Sequence, residues 1–343
     1  MKIAVTGAGG GVGQSICKAL SISSLPTELF PVDVQPLSAG LFRGKEGLVL
    51  PKGEAPGSLD IWREEFEKRG IEVVFPGSDY DVVSLSAVRD EWAATGGPAV
   101  LVSDRELVLD CRDKARTYER LTRDGIDAPK CVWGKSLEET LTFADSVGYP
   151  VVIKPRDGSA SRNVTFAKDD AELSFYFTRT PNPIIQEYLA LDGEAEEFTC
   201  AVFADVQGLV AATFMARRTL SGGTTFRAEV GYWEKLEPLL RKIGETLKPR
   251  GPLNVQLRMT DRGPVPFELN IRCSGTTAIR AYYGYNEPEM WIRNYVLGEA
   301  VSQPPRRKGV ALRYWNEVFI PDLSEEDLSG ASIMKRGEIL AWP

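Results

Sequence analysis

The chain has 343 residues, enough at roughly 150 per domain for two or three domains. Hydrophobic residues make up 43% and charged residues 26%, which excludes a disordered or collagen-like chain, and a net charge of −7 excludes an overall basic nucleic-acid-binding character. His is absent, which removes Ser-His-Asp hydrolysis, Cys-His proteolysis, HExxH zinc chemistry and any imidazole general base. Up to residue 110 the sequence alternates short apolar strands at 3–5, 29–32, 73–75 and 100–102 with helices after Gly13 and near 59–68 and 82–92. This is the pattern of a parallel sheet covered by helices. A helix at 114–123 then leads through Gly125 and Pro129 into a small α+β module. In it, a helix at 137–147 and strands at 151–154, 164–167 and 184–187 are expected. Beyond lie two hairpins, 197–203 with 209–216 and 253–259 with 265–271.

The apolar run 209–216 falls far short of the roughly 18 residues of a membrane span, and Met1-Lys-Ile-Ala-Val5 enters a strand without a signal-peptide pattern. A cytoplasmic location is expected. Cysteines 17, 111, 131, 200 and 273 include no CxxC pair, so neither a disulfide framework nor a structural zinc site is supported.

Thr6-Gly-Ala-Gly-Gly-Gly-Val-Gly13 follows a strand and opens a helix, with Asp33 ending the next strand. Such a turn can hold a pyrophosphate, so an NAD(P)-dependent reductase is one reading. Against it, Val12 replaces the third glycine of GxGxxG, and no Tyr has a Lys four positions on. The other reading is a tight turn with close packing. Gly134-Lys-Ser136 resembles the end of a phosphate-binding loop, but Pro129 replaces the first glycine and Ser136 reads better as a helix N-cap.

A more specific set lies between 114 and 280. Val151-Val-Ile-Lys154-Pro-Arg156 puts a cation at the end of an apolar strand, ahead of a Gly/Ser loop at 157–161, an arrangement suited to phosphate oxygens. Ile184-Ile-Gln186-Glu187-Tyr188-Leu189 is a strand edge able to read adenine through its backbone, and Glu196 or Glu197 follows to hold ribose hydroxyls. Alternate strand residues share a face, so Asn254, Gln256 and Arg258 point together, as do Glu268, Asn270 and Arg272. A hairpin symmetric about Arg262 sets Gln256 opposite Glu268 and Asn254 opposite Asn270. One carboxylate and several amide oxygens there suit Mg²⁺ shared with phosphates, and Arg272 suits the transferring phosphoryl group.

Lys114, the Val-Val-Ile-Lys154 strand, Gln186-Glu187-Tyr188-Leu189, Glu197, Asn254-Val-Gln256 and Glu268-Leu-Asn270-Ile-Arg272 occur in the order and approximate spacing of the ATP-grasp superfamily. Over roughly 1–300 the chain resembles the synthetase domains of the carbamoyl-phosphate synthase large subunit and their short stand-alone relatives. The resemblance implies a Rossmann-like pre-ATP-grasp domain at 1–110 that does not bind NAD. A two-lobed ATP-grasp fold (α+β) would follow, with a small lid-like lobe at 111–190 and a large lobe with a closing segment at 191–343. It implies ATP phosphates on Lys114, Lys154 and Ser159, adenine on Gln186 to Leu189, and ribose on Glu197. Mg²⁺, or Mn²⁺, would lie among Gln256, Glu268 and Asn270, with Arg272, Lys154 and Arg280 as the catalytic set.

The family's reaction activates a carboxylate or bicarbonate as an acyl phosphate for attack by an amine. A chain with a single such unit points to a carboxylate–amine ligase ahead of carbamoyl phosphate synthesis, with a non-catalytic nucleotide-binding protein as a further alternative. The partners expected are small-molecule substrates and a second copy in a homodimer, without nucleic acid or membrane. The acceptor pocket is expected along 215–227 and 274–280, where Arg217, Arg227 and Arg280 are candidates for a substrate carboxylate. The 217–227 segment and the Gly/Ser loop are expected as mobile covers. Cys273, with no local base, reads as a packing residue, and 300–343 as a linker with closing strands.

Overall fold

The computed structural model describes residues 1–157, 163–190 and 197–339. The first sheet has six strands in the order Ile333–Met334, Gly47–Val49, Glu28–Asp33, Lys2–Val5, Val73–Phe75 and Ala99–Val100. All its pairings are parallel except the first, where Ile333 and Met334 lie antiparallel to Leu48 and Gly47. The end of the chain thus returns to the first domain, where Met334 and Leu328 pack on Leu41 and Phe42, rather than only closing the large lobe. The 191–343 boundary is corrected accordingly.

Helix Gly11–Ser21 leaves the first strand through the glycine turn. Glycines permit close approach here: a Cβ on Gly13 would lie 2.3 Å from the Gly7 carbonyl oxygen, and one on Gly77, after strand Val73–Phe75, only 2.0 Å from that of Thr6. Gly9 N donates to the Asp33 carboxylate at 2.7 Å, which ties the acidic residue at the end of the next strand to the loop. The close approaches fit the reading of a tight turn with close packing.

Helix Asp79–Ala94 is capped by Ser78, which accepts from Asp81 N, and helix Arg105–Arg112 carries the chain across residue 110. Helix Lys114–Arg123 begins where the sequence indicates because the Asp113 carboxylate accepts from the amides of Ala115 and Arg116. The small lobe is an antiparallel sheet ordered Cys131–Trp133, Pro183–Glu187, Val151–Pro155, Thr165–Ala167. Helices Leu137–Val147 and Asp170–Phe177 cover it over a core of Ala144, Val151, Ile153, Leu173 and Ile185.

The large lobe is built on seven strands. Gly263–Asn270, Gly251–Thr260, Glu197–Ala204, Ala216–Ser221, Thr224–Val230 and Gly309–Leu312 follow in order, and Val210–Phe214 pairs with Glu197–Ala204 off that path. The 217–227 segment, expected as a mobile cover, forms two of these strands and their turn, pairing Arg217 with Glu229 and Arg218 with Ala228. That expectation is corrected: its backbone donors and acceptors belong to the sheet. Helix Glu237–Leu247 packs Leu240, Ile243 and Leu247 into the core beneath.

Candidate active site

The hairpin Gly251–Thr260 with Gly263–Asn270 carries the acidic centre. Gln256 lies opposite Glu268 and Asn254 opposite Asn270, as a hairpin symmetric about Arg262 requires. The symmetry depends on a bulge. Leu257 pairs with Pro266 and Gln256 with Glu268, so Phe267 is the extra residue, and its carbonyl accepts from the Tyr118 hydroxyl at 2.6 Å. Without the bulge, Gln256 would face Phe267 and the amide–carboxylate row would be lost.

Lys154, at the end of its strand, is only 6% exposed, and its ammonium donates to the Tyr118 hydroxyl at 3.1 Å. Burial, with the neighbouring Lys114 charge, pushes its pKa down to about 8, and Glu268 opposes that shift. Burial also lowers Lys114, against the pull of Glu268, Asp157, Asp79 and Asp113. The two lysines come from different elements. They meet Glu268, Gln256, Gln186, Leu189 and Glu197 in the lining of one cavity of about 160 Å³ between the lobes.

Several expected roles are met differently. Glu187 turns its carboxylate away from this cavity, accepting from Lys130 N at 2.8 Å and from Arg262 at 2.6 Å, which leaves only backbone for recognition at that edge. Tyr188 stacks edge-on against Phe166 with ring centres 5.8 Å apart, and its neighbour Leu189 gives its carbonyl to Arg258 at 3.2 Å. Gln186, 4% exposed, has its side-chain oxygen 3.0 Å from the Tyr118 hydroxyl. Glu197 is clamped on both carboxylate oxygens, by Arg218 at 2.7 Å and Arg258 at 3.1 Å. A ribose hydroxyl would compete there with two guanidinium groups. Ser159 and Glu196 lie outside the described residues.

Arg272 is gripped bidentately by Asp79 of the first domain at 2.6 and 2.9 Å and also touches Asn270 Oδ1 at 3.3 Å. Arg280 is corrected. It is fully buried, paired with Glu287 at 3.0 Å and bonded to Asn254, Thr199 and the Cys200 carbonyl, so it is a structural ion pair and not a ligand for a substrate carboxylate. Arg217 pairs with Glu229 on the exposed face of its strand. Cys273 is buried and its thiol pKa is raised well above the ordinary value by desolvation, in keeping with packing.

Arg218 and Tyr118 are the site residues that sequence reasoning missed. Arg218 reaches both Glu197 and Gln256, the latter at 2.8 Å, and Tyr118 joins Lys154, Gln186 and Phe267. The register setting Arg218, Glu197 and Arg258 side by side spans three strands and has no local sequence signal. For Tyr118, its place one helical turn after Lys114 was the available hint.

As a divalent site, Glu268 with the Gln256 and Asn270 amides offers oxygen donors and a single carboxylate. Among the described residues no group of three His, Cys, Asp or Glu side chains forms a metal cage. A hard cation sharing its coordination with phosphate oxygens fits this donor set.

Family profiles match two overlapping stretches. A RimK-like ATP-grasp domain matches residues 111–239, and the profile described as ATP-grasp in the biosynthetic pathway with Ter operon matches 179–318. The chain carries an ATP-grasp domain. The carbamoyl phosphate synthase large chain of Sulfurisphaera tokodaii is 28% identical to it over 173 residues, which is 47% of this chain and 16% of that one. The corresponding Pseudothermotoga lettingae protein is 24% identical over 235 residues, 64% of this chain and 20% of that one. This ATP-grasp chain therefore spans about a sixth to a fifth of those relatives. Among solved structures, N5-carboxyaminoimidazole synthetase from Staphylococcus aureus superposes with a TM-score of 0.71 at 13% identity, covering 90% of this chain and 81% of that one. The biotin carboxylase domain of Hydrogenobacter thermophilus 2-oxoglutarate carboxylase, in complex with MgADP, gives 0.69 at 14% identity, covering 88% and 71%. Lys114 and Lys154 lie in the stretch matched by the RimK-like profile and Glu268 in the stretch matched by the other, and all three line one cavity. Among the described residues, no helix is long and apolar enough to cross a membrane.

Proposed function

We propose that the chain is a Mg-ATP-dependent ligase that activates a carboxylate as an acyl phosphate for attack by an amine, with release of ADP and phosphate. The observation that carries this reading is the meeting of Lys114, Lys154 and Glu268 in one inter-lobe cleft, beside an amide-rich sheet face. Lys154 and Lys114 hold phosphate oxygens by charge-assisted hydrogen bonds. The backbone at Glu187 to Leu189 receives the adenine edge. Glu268, with Gln256 and Asn270, holds Mg²⁺ or Mn²⁺, whose charge offsets that of the phosphates. Arg272 stabilises the transferring phosphoryl group once Asp79 releases it. Such a transfer depends on positioning and charge neutralisation, which suits a chain with no histidine.

The acceptor enters from the first-domain side of Glu268. A second cavity of about 60 Å³ shares Lys114, Phe267 and Glu268 with the cleft and adds Asp79, Arg112 and Arg272. The names of the similar synthase and synthetase proteins support a ligase over a passive binding protein. The test is ADP release from Mg-ATP across a panel of carboxylate and amine pairs, with bicarbonate and ammonia included to separate carbamoyl-type synthesis. Turnover lost in Glu268→Ala and Lys154→Ala supports the assignment. Turnover unchanged in either variant removes it, and tight NAD(P)H binding by the wild type would return the glycine turn to consideration.

A further inference from the structure

Along helix Gly11–Ser21 lies a cavity of about 170 Å³, as large as the cleft's 160 Å³ and sharing no lining residue with it. Its walls come from three separate parts of the chain. Gln14, Lys18 and Ser21 form one stripe of the helix, Arg43 ends the turn Ala39–Arg43, and Arg336 arrives with the returning end of the chain. Cys17 and Leu29 supply apolar wall.

All the charged residues lining it are cations. Among the described residues, none of Lys18, Arg43 and Arg336 has a carboxylate within ion-pair distance. Nearby Lys45 is paired with Glu28, and Arg69 with Glu46 and Glu65. In a chain with a net charge of −7, carboxylates are plentiful, yet this cavity has none in its lining. The cations also repel one another. The Lys18 pKa is lowered first by burial and then by Arg43 and Arg313, the latter anchored to the Gly275 carbonyl. The wall is held in place as well, because the turn bearing Arg43 is pressed against the glycine loop so closely that a Cβ on Gly40 would lie 1.9 Å from the Ala8 carbonyl oxygen.

We infer that this cavity binds a small phosphorylated molecule, separate from the nucleotide in the cleft, whose phosphoryl oxygens are held by Arg43, Arg336 and Lys18. Two guanidinium forks and an ammonium around one cavity are the donor set for such a group. A carboxylate-only ligand would use the same cations, and comparing probes separates the two.

The test is calorimetric titration of the whole chain, its cleft saturated with a non-hydrolysable Mg-ATP analogue, with inorganic phosphate, and with acetate as the carboxylate probe, at constant ionic strength because exposed cations are screened by salt. Phosphate should bind with a millimolar Kd and acetate more weakly. Arg43→Gln with Arg336→Gln should weaken phosphate by about tenfold or more through loss of its charge-assisted bonds. Lys18→Met, at an exposed helix position, gives a second reading if the double variant fails to fold. The inference is overturned if the wild type binds no phosphate up to about 50 mM, well above the millimolar range. It is equally overturned if acetate binds as tightly or if binding survives in the cavity variants.

Discussion

Nucleotide affinity should fall as pH rises through 8, and Lys154 is the reason. In the free protein its ammonium is buried beside Lys114, and its pKa is lowered to about 8. Below that pH it is charged and able to hold a phosphate; above it the group is neutral. From pH 7 to pH 9 the charged fraction drops from about 0.9 to about 0.1, so affinity should drop about tenfold, about 1.4 kcal/mol. Phosphate charge draws the pKa back up, so at pH 8 binding should take up about half a proton. Calorimetry with a non-hydrolysable Mg-ATP analogue, in buffers of different ionisation enthalpy, measures both quantities. The cysteines at 17, 111, 131 and 200 have pKa values near 12 and do not titrate in this window. Lys154→Met should bind more weakly at pH 7 and lose the pH dependence attributed to this lysine. A flat wild-type profile from pH 7 to 9, or an undiminished slope in Lys154→Met, would refute the reasoning. The folding consequence runs the other way. The folded pKa lies below the unfolded value near 10.4, so Lys154 disfavours folding below pH 8 and this penalty is relieved between about 8 and 10.4. Lys154→Met should therefore raise the melting temperature of the ligand-free chain at pH 7.

Glu287→Ala strands the fully buried Arg280 and should cost about 3–5 kcal/mol in denaturant unfolding, whereas removing the exposed Arg217–Glu229 pair should change stability by less than about 1 kcal/mol. Gly77→Ala drives a methyl to 2.0 Å from the Thr6 carbonyl oxygen and should destabilise the first domain by about 1–3 kcal/mol, read as a shifted urea midpoint. Asp79→Asn loosens the grip on Arg272. A double-mutant cycle with Arg272→Lys on unfolding free energy should return a coupling of about 0.5–3 kcal/mol, and additive effects would show that the pair does not join the domains. Arg218→Met frees Gln256 and one carboxylate oxygen of Glu197, leaving the other on Arg258, and should alter nucleotide affinity in calorimetry, while identical affinity would leave Arg218 as a structural group only.

Local patterns were enough to place much of the fold. Helix Lys114–Arg123 starts where Asp113 caps it, helix Leu137–Val147 starts where Ser136 and Glu139 make a capping box, and strand Val73–Phe75 is a short apolar run between turns. Capping and period-two burial act over a few residues, so they are written in consecutive positions. The Gln256–Glu268 pairing was legible for the same reason, as a hairpin is a local structure, although the bulge at Phe267 that preserves its register was not. The strands in the 217–227 segment were missed because its mixture of Arg, Thr, Ser and Gly lacks a continuous apolar run, and the neighbouring strands supply its pairing.

By itself the sequence determined the absence of imidazole chemistry and, through its resemblance to a family, pointed to Lys114, Lys154 and Glu268 as a candidate phosphate and metal set. Only the tertiary structure decided what each cation faces. Arg280 and Arg272 both follow the same hairpin, yet one is sealed against Glu287 while the other reaches Asp79 from a different domain. An arginine has the same charge and donors wherever it stands, and its role is set by whichever carboxylate the fold brings within about 3 Å. That partner lies 7 residues away for Arg280 and 193 for Arg272. For Lys18, Arg43 and Arg336, the fold brings three cations around one cavity and leaves carboxylates out of its lining, an arrangement that no stretch of consecutive residues records.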